Sequence, residues 1–490
     1  MYSGLPDSND NVSILLVVTA FVGFIWISIS HIREALPTRH IPGPWHTSWT
    51  KAVYNYHFLA GTRCEYVHAL HAKYGPAVRI GPSHVDFMDI EAYKTMYGSR
   101  ESFRKSQFYR LLAVDGQQGL FNTVDVEFHR RHRRLLAGPM AESSLLQTVL
   151  PVLEARVAVV ISKIREEVAT RGAADVYKWW LFMATDIIGE LSFGESFRML
   201  ELDELEQGSL VGALRATLPP FLLRVSSFIP LRFMNLAHEA GERMTQYAVV
   251  SLDRYRKLVD KGADADMPET LFYKVFKASG EGTMPYNEIR DEALNYIAAG
   301  SDTVSITLTY LTWELSRKPE IKQRLLEELR MLPADFGALE LRDLPFLNQV
   351  MDETLRLYCA APPPFPRVVP NDGAHLAGYY LPSGIEVSAQ AFSMHRDTTI
   401  FPSPEEFRPE RWASPTTAMK DSLVPFGRGA RVCIGQHLAR IELRLATARF
   451  FLAFPNVCMS SLEGMTDDDM KPVIQLFLTS KGKRCLLEAK

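Results

Sequence analysis

The sequence predicts a mostly α-helical fold with a minor β-sheet, preceded by a single N-terminal transmembrane helix. Between residues of about 140 and 360, most segments carry apolar residues at helical spacing. Short β-like runs occur at 76–88 and 366–390. Because residues 45–490 contain no internal repeat and no low-complexity tract, we expect one large domain over 46–490.

The N-terminal segment from Val12 to Ile29 contains no charged residue. A helix of about 18–20 residues spans roughly 27–30 Å, which is enough to cross a hydrocarbon core. Asp7 and Asp10 precede this segment and Arg33 follows it, which favours a cytoplasmic location for the C-terminal side. We therefore predict a lumenal N-terminus at 1–11 and a retained anchor at 12–30, with a cleaved signal peptide as the alternative.

Residues 31–45 form a basic, proline-rich hinge in this prediction. Ile41-Pro42-Gly43-Pro44 is expected to be a stiff, extended elbow between the anchor and the body of the protein.

The composition limits the class of protein and its compartment. The chain has 490 residues, of which 47% are hydrophobic, and this is ample for a large buried core. Its net charge of −3 gives no global field that would attract nucleic acid. The five cysteines are widely scattered, which favours a reducing compartment over a disulfide framework.

The stretch from Asn287 to Arg317 contains no proline and predicts one helix of roughly 45 Å. Its centre is Ala299-Gly300-Ser301-Asp302-Thr303. A glycine in a helix costs about 1 kcal/mol relative to alanine, and close approach of a ligand plane would be a sufficient reason for Gly300. Thr303 shares a face with Gly300 and has Asp302 beside it for proton transfer. The alternative is a core helix with a packing glycine and a threonine bonded to the preceding turn.

A second helical run, Phe346–Leu357, follows Pro345, which suits the first turn of a helix. Glu353 and Arg356 lie three residues apart, so their charges meet on one helix face. As an exposed pair they would contribute only about 0–1 kcal/mol.

Residues 426–435, with the sequence FGRGARVCIG, carry the strongest functional signal in the chain. Glycines let the backbone pass close to a large flat ligand. Cys433 precedes a predicted helix from Ile434 to about Phe451, whose dipole is expected to lower the pKa of the thiol. A single thiolate suits one axial bond to a haem iron. Zinc and iron–sulfur sites need several close cysteines, and a P-loop needs a lysine. A buried structural cysteine is the remaining alternative.

The loop matches F-x-x-G-x-R-x-C-x-G and resembles the haem-binding loop of the cytochrome P-450 family. Three further motifs resemble the same family in the expected order: Ala299–Thr303, Glu353 with Arg356, and the run Phe407–Trp412. The proline-rich hinge resembles that of microsomal members. The resemblance extends from Ile41 onward. In its general character the sequence most resembles the fungal secondary-metabolism members of the family.

This resemblance implies haem b with Cys433 as the axial ligand, and Phe426, Gly429, Gly435 and Gly300 beside the haem. It implies that Arg431, Arg133 and Arg367 bind the propionates, although Arg367 could instead be a surface strand arginine. Where the family usually has tryptophan this chain has His129, which shares a face with Arg133. Glu353, Arg356 and Arg411 would form a buried cluster behind the haem loop.

The implied activity is a haem-thiolate monooxygenase that oxidises a lipophilic molecule, such as a terpenoid, polyketide or alkaloid, with O2. Electrons would come from a separate NADPH–cytochrome reductase or cytochrome b5, because no dinucleotide fingerprint is present. We expect the reductase to dock on a positive patch of Arg130, Arg131 and Arg134, with a solvated helix face as the alternative for these arginines. The implied location is the endoplasmic reticulum membrane, with a cytosolic catalytic domain. Walls of the substrate pocket are expected at 107–121 and at 218–234, the latter being either a lid or a core segment.

Two other functions remain open from the sequence. A haem-thiolate isomerase or dehydratase would not need O2, but such enzymes tend to lose the acid–alcohol pair, and Asp302-Thr303 is intact. A non-catalytic haem binder would not need Thr303. Nucleic-acid binding by the basic run at 129–134 is disfavoured, because the total charge is near neutral and aromatic interleaving is absent.

Overall fold

The computed structural model describes residues 36–112, 118–202, 249–257, 270–273 and 284–489. The predicted anchor at 12–30 and the predicted wall at 218–234 lie outside the described residues. Within the described residues the fold is mostly helical with small sheets, as the periodicity predicts.

The described part of the chain contains sixteen α-helices, named below in chain order, and residues 249–257 are helical as well. The helices are α1 (Ala52–Leu59), α2 (Arg63–Tyr74), α3 (Ile90–Met96), α4 (Phe108–Leu111), α5 (Val126–Ala137), α6 (Glu142–Thr148), α7 (Leu150–Arg171), α8 (Val176–Phe193), α9 (Met199–Leu202), α10 (Tyr286–Arg317), α11 (Pro319–Leu329), α12 (Ala338–Arg342), α13 (Pro345–Leu357), α14 (Ala391–Met394), α15 (Thr417–Ser422) and α16 (Gln436–Ala453).

The strands are short and form one larger sheet and three smaller ones in the part of the chain that the structure describes. They are β1 (Ala77–Gly81), β2 (His84–Phe87), β3 (Arg104–Lys105), β4 (Ala174–Asp175), β5 (Arg367–Val368), β6 (Ala374–Leu376), β7 (Tyr379–Leu381), β8 (Glu386–Ser388), β9 (Val457–Met459), β10 (Pro472–Ile474), β11 (Leu478–Ser480) and β12 (Leu486–Ala489).

The larger sheet has the order β1-β2-β8-β5-β3, and only the β2–β8 pair is parallel. β1 and β2 come from the predicted run at 76–88, and β5 and β8 come from 366–390. The sheet therefore brings together three distant segments of the chain, including Lys105 on β3 and Arg367 on β5. The remaining sheets are β4-β12-β9, β10-β11 and β6-β7.

Helix α8 lies in the middle of the main core. Asp175 caps its first turn by accepting a hydrogen bond from the backbone N–H of Tyr177 (3.1 Å), and Gly194 ends it in a left-handed conformation (φ 74°). Trp180 and Phe182 on this helix are fully buried. A helix that is apolar on nearly all sides must be surrounded by other elements, and α8 packs on α7 and α10.

Helix α10 is the longest described helix, with 32 residues, and it extends about 48 Å. It begins after Pro285 and ends at Arg317, close to the predicted bounds. It ends there because Lys318 precedes Pro319, and a residue before proline is driven out of the helical conformation.

The elbow at residues 41–44 packs on the body of the protein. The side chain of Ile41 is buried, and the carbonyl of Pro42 accepts a hydrogen bond from the Arg79 backbone N–H (2.8 Å). Pro44 has the extended conformation that was expected (φ −58°, ψ 145°). Among the helices that the structure describes, none is by itself both long and apolar enough to cross a membrane, although α6 and α7 together, across a bend of 63°, reach that length and composition.

Candidate haem site

The loop before α16 holds Cys433 through its backbone. The backbone N–H of Cys433 donates a hydrogen bond to the carbonyl of Phe426 (2.9 Å), so the segment between them closes into a compact loop. Helix α16 begins at Gln436, immediately after Gly435, as the pattern of residues predicts. Phe426 is half-buried and packs against the main core.

The glycines of this loop serve different purposes. Gly429 has a left-handed conformation (φ 70°), and a Cβ atom there would lie 2.1 Å from the carbonyl oxygen of Tyr97. The protein backbone itself, rather than a ligand, therefore requires glycine at 429, which corrects the reason expected from the sequence. A Cβ atom on Gly435 would meet no protein atom within 4 Å. Gly435 borders open space beside Cys433.

The side chain of Cys433 is exposed, although many protein atoms lie around it. Burial among these atoms raises the pKa of the thiol. The expectation of a lowered pKa is wrong for the protein residues alone, because burial outweighs the backbone N–H of Gly435 and the charge of Arg133. A coordinated metal ion would reverse this balance, since it deprotonates a thiol ligand outright.

The centre of α10 is the part of that helix that opens to the same region. Ala299 is exposed and Gly300, Asp302 and Thr303 are half-buried, whereas most neighbouring residues are buried. The charge of Cys433 contributes to the raised pKa of Tyr296, one turn earlier, after burial and Glu292. Helix α10 and the cysteine loop therefore border one another.

Two details of this segment favour the simpler explanations. A Cβ atom on Gly300 would lie 2.9 Å from Cγ1 of Ile188 on α8, so close packing of two helices is a sufficient reason for the glycine. The hydroxyl of Thr303 donates to the carbonyl of Ala299 (2.7 Å), one turn earlier. In this arrangement the Thr303 hydroxyl keeps its acceptor lone pairs for another donor.

A buried ionic cluster stands behind the loop. Glu353 accepts hydrogen bonds from Arg356 Nε and Nη2 (2.9 and 2.8 Å) and from Arg411 Nε (3.0 Å). It also accepts from the Trp412 indole N–H (2.9 Å) and the Arg408 backbone N–H (2.8 Å). The side chains of Glu353 and Arg356 are 0% exposed. The structure thus brings together the three residues that the resemblance groups, on α13 and the 3₁₀ turn Pro409–Trp412.

His395 connects this cluster to the cysteine loop, and the sequence contained no signal for it. Its Nδ1–H donates to the carbonyl of Arg356 (2.9 Å), and its Nε2 accepts from the backbone N–H of Val424 (2.9 Å). Val424 lies two residues before Phe426. Because Nε2 must accept, the native contact requires neutral His395.

Acid should therefore weaken the protein through His395. Burial, with the charges of Arg356 and Arg396, lowers the pKa of His395 from 6.5 to about 3. Stability from the neutral ring is complete above pH 6.5 and is lost as the pH falls toward 3, at about 1.4 kcal/mol per pH unit. As the pH falls from 6.5 toward 3, we expect the free energy of unfolding to decrease less steeply for His395→Gln than for the wild type, by about 1.4 kcal/mol per pH unit. Urea titration at several pH values measures both slopes. Equal slopes for both proteins would contradict this assignment.

Four cationic side chains converge beside the loop: Lys105, Arg133, Arg367 and Arg431. Burial lowers the pKa of Lys105 well below its ordinary value, with the positive charges of Arg367 and Arg431 acting in the same direction. Arg133 donates to the carbonyl of Val432 (2.8 Å). Among the described residues, Glu101, on Arg431, is the one carboxylate in an ion pair with any of the four. The group carries more buried positive charge than the described carboxylates neutralise, and this favours an anionic ligand.

His129 lies among these cations. It is 2% exposed, and burial together with Arg431, Lys105 and Arg133 lowers its pKa to about 3. Its Nδ1 is buried without a hydrogen-bond partner in the described part of the chain, and Glu101 is 3.9 Å away. A neutral imidazole with one free nitrogen can still donate a hydrogen bond to an anion.

Arg367 is buried on β5 rather than exposed on a surface strand. Its Nη1 donates a hydrogen bond to the hydroxyl of Tyr109 (2.7 Å). Tyr109 and Lys105 join the site although sequence reasoning assigned neither to it. Lys105 stands in the polar run Arg104-Lys105-Ser106, which is typical of a solvated segment, so only the pairing of β3 with β5 reveals its place.

These residues fit haem b. The Cys433 thiol is exposed, a Cβ atom on Gly435 would meet no protein atom within 4 Å, and the cations beside the loop match two propionates. Cys433 would hold the iron, while Arg133, Arg367, Arg431 and Lys105 would hold the propionates.

The basic face of α5 is partly neutralised. Arg131 pairs with Glu288 on α10 (2.7 Å), and Arg130 pairs with Glu127 (2.6 Å). The predicted positive patch of Arg130, Arg131 and Arg134 is therefore weaker than the sequence indicates.

Comparison with known proteins identifies the family of this chain. Residues 42–486 match the family model for cytochrome P450. The chain is 44% identical to cytochrome P450 monooxygenase tazI of Aspergillus terreus, over 92% of this chain and 94% of that protein. It is 41% identical to cytochrome P450 monooxygenase orf2 of Aspergillus niger (92% and 93% covered) and 33% identical to cytochrome P450 monooxygenase stcB of Emericella nidulans (92% and 88% covered). The chain belongs to the cytochrome P450 family and is a haem-thiolate monooxygenase with haem b as its cofactor.

Proposed function

We propose that the chain hydroxylates a lipophilic secondary metabolite precursor, a terpenoid, polyketide or alkaloid. One atom of O2 enters a C–H bond, and the other leaves as water with two electrons and two protons. The observation that carries this proposal is the exposed Cys433 thiol, which lies near Tyr296 on α10 and near Arg133 of the cation group. Haem b, when bound there, supplies the iron that activates O2.

Thr303 and Asp302 are proposed to deliver the two protons that are consumed when one oxygen atom leaves as water. They lie near the middle of α10, next to Ala299, which is exposed. The Thr303 hydroxyl donates its hydrogen bond to the Ala299 carbonyl (2.7 Å). Its oxygen can therefore accept a hydrogen bond from a ligand or water.

A lipophilic substrate is supported by aromatic rings near the site. Tyr109, Phe121 and Phe365 contact one another with ring centroids 5.9–6.3 Å apart, and Phe121 remains 37% exposed. Tyr109 also binds Arg367, so this aromatic group adjoins the cation group. The named relatives are from fungi, which favours secondary metabolism over other roles.

The protein is proposed to be a single-pass protein of the endoplasmic reticulum membrane with a cytosolic catalytic domain. The uncharged segment at 12–29 supports this location. Trp45, Trp49 and Tyr56, just after the elbow, are 80%, 48% and 66% exposed, and aromatic side chains of this kind suit a membrane interface.

Electrons are proposed to come from an NADPH–cytochrome reductase that docks on the basic face of α5. Arg130 and Arg134 support this, although Arg130 already has a partner in Glu127. Raising the ionic strength should slow electron transfer from the reductase, because exposed charges are screened by salt. Rates that stay flat from low to high salt would count against docking through these arginines.

The reaction itself is tested with the full-length chain in membranes, NADPH, reductase and ¹⁸O2. We expect one product of a precursor panel to gain a single ¹⁸O atom, with no product when O2 or NADPH is omitted. Conversion that continues without O2 would indicate an isomerase or dehydratase instead. Haem binding without conversion of any precursor, and unchanged behaviour of Thr303→Ala, would indicate a non-catalytic haem binder.

A further inference from the structure

A buried charged bridge joins α5 to α10. His132 lies between two carboxylates one turn apart on α10: its Nδ1 is 2.6 Å from Glu292 Oε1, and its Nε2 is 2.8 Å from Glu288 Oε2. The side chains of His132 and Glu292 are 0% exposed, and Glu288 is 18% exposed. Phe128 stacks on the imidazole with ring centroids 3.8 Å apart. We call His132, Glu288 and Glu292 the His132 bridge.

Both ring nitrogens of His132 are held by partners on α10. A carboxylate oxygen accepts hydrogen bonds, so a ring N–H donates to the glutamate that it faces. Arg131 adds a further contact to the group, at Glu288 Oε2 (2.7 Å) and at His132 Nε2 (3.4 Å). The ring cannot turn over without breaking both bonds and its stacking on Phe128, so the bridge fixes a distance instead of passing protons inward.

Glu292 depends on this arrangement. Its Oε1 contacts His132, and its Oε2 is buried without a hydrogen-bond partner in the described part of the chain. Removing the imidazole would leave Glu292 Oε1 without its hydrogen-bond partner, and an unpaired buried carboxylate is costly. Movement of Glu292 toward water would relieve this cost and shift α10 relative to α5.

The next residue on α5 is tied to the opposite wall of the haem site. Arg133 donates to the carbonyl of Val432, the neighbour of Cys433 (2.8 Å). Consecutive residues of one helix therefore connect α10, which carries Ala299–Thr303 about 16 Å further along its axis, and the cysteine loop. Helix α5 therefore contacts α10 through His132 and the cysteine loop through Arg133.

We propose that His132 is a positioning residue: the His132 bridge sets the separation between α10 and the cysteine loop, and so holds haem in register with the Cys433 thiolate. This inference rests on the haem site proposed above. It adds a role for three residues that contact neither the thiol nor the cation group.

The test compares His132→Gln with a matched control, His71→Gln. His71 on α2 is also 0% exposed, with Nε2 2.9 Å from Asp86 and Nδ1 2.9 Å from the carbonyl of Gly75, but it supports the β-sheet and not the haem site. Haem loss from the full-length holoprotein to excess apomyoglobin, the electron paramagnetic resonance spectrum of the ferric state and the urea midpoint are measured for each protein.

We expect His132→Gln to lose haem at least about 10-fold faster than the wild type, which is the size of effect seen for residues that position a metal ligand without binding the metal. The electron paramagnetic resonance signal of its thiolate-bound ferric haem should also be broader. His71→Gln should lower the urea midpoint without changing either property. Equal rates of haem loss in the two variants, or an unchanged rate in His132→Gln, would overturn the proposal.

If His132→Gln does not fold, Glu292→Gln keeps the shape and one acceptor while removing the buried charge. It should raise the rate of haem loss, and an unchanged rate would overturn the proposal. Where His132→Gln does fold, the double variant His132→Gln/Glu292→Gln should lose haem more slowly than the product of the single effects predicts, because Glu292 is then no longer an unpaired buried carboxylate. Strictly multiplicative effects would reject the bridge. A wild-type protein without thiolate-bound haem would instead reject the haem site itself, and it would show this before any variant is compared.

Discussion

Glu353→Gln is expected to destabilise the native state by about 3–5 kcal/mol, the typical cost of removing one partner from a buried ionic cluster. Glu353 accepts hydrogen bonds from Arg356, Arg411 and Trp412, and neither Glu353 nor Arg356 is exposed to solvent. Glutamine would leave two guanidinium groups without a counter-charge. Urea unfolding measures the loss, and haem content measured on the same samples should fall with it.

The matched control is Glu127→Gln. Glu127 and Arg130 form a pair with the same spacing of three residues, but their side chains are 80% and 55% exposed. Such a pair contributes less than about 1 kcal/mol, so the same substitution should leave the urea midpoint nearly unchanged. Equal destabilisation by both substitutions would show that the buried cluster contributes no more to stability than an exposed ion pair does.

Cys433→Ser should abolish product formation while leaving the fold intact. The side chain is exposed and oxygen is smaller than sulfur, so the hydroxyl costs little in packing. A serine oxygen cannot supply the thiolate electron density that favours O–O cleavage. We expect no product above background in the ¹⁸O2 assay, together with a urea midpoint close to that of the wild type.

Cys458→Ser serves as its control, because Cys458 is a free, half-buried cysteine on β9. Its turnover should match that of the wild type. Substantial turnover by Cys433→Ser, or loss of turnover in Cys458→Ser, would contradict the assignment of the axial ligand.

Local patterns in the sequence were sufficient for the main elements of the fold. Unbroken helical spacing predicted α10 within one residue at its start, and Pro345 marked the first residue of α13. Strands β1 and β2 lie where β-like runs were predicted at 76–88, and the structure pairs them in antiparallel orientation. These elements are determined by residues near one another in the chain, and so their signals are local.

The site was predictable only where a contiguous motif carries it. Cys433, Thr303 and the pair Glu353–Arg356 lie in short motifs, whereas Lys105 and His395 act through contacts with residues far away in the chain. Nothing near Lys105 distinguishes it from a solvated lysine, because its burial is created by β3 pairing with β5.

Physical reasons inferred from single residues were less reliable than the residues themselves. Gly429 and Gly300 were identified, but protein atoms of Tyr97 and Ile188, not a ligand plane, occupy the positions that a Cβ atom would need. The helix after Cys433 is present, but burial raises the pKa of the thiol despite it. Sequence reveals which groups are near in the chain, and desolvation depends on everything that folds around them.

The central claim is that sulfur from Cys433 binds the iron of haem b. The most direct measurement is the absorbance spectrum of the purified full-length protein after reduction and addition of carbon monoxide. A thiolate-type Soret band in the wild type that disappears in Cys433→Ser is the predicted result. Protein that retains no haem, or a wild-type spectrum typical of a nitrogen ligand, would contradict the claim.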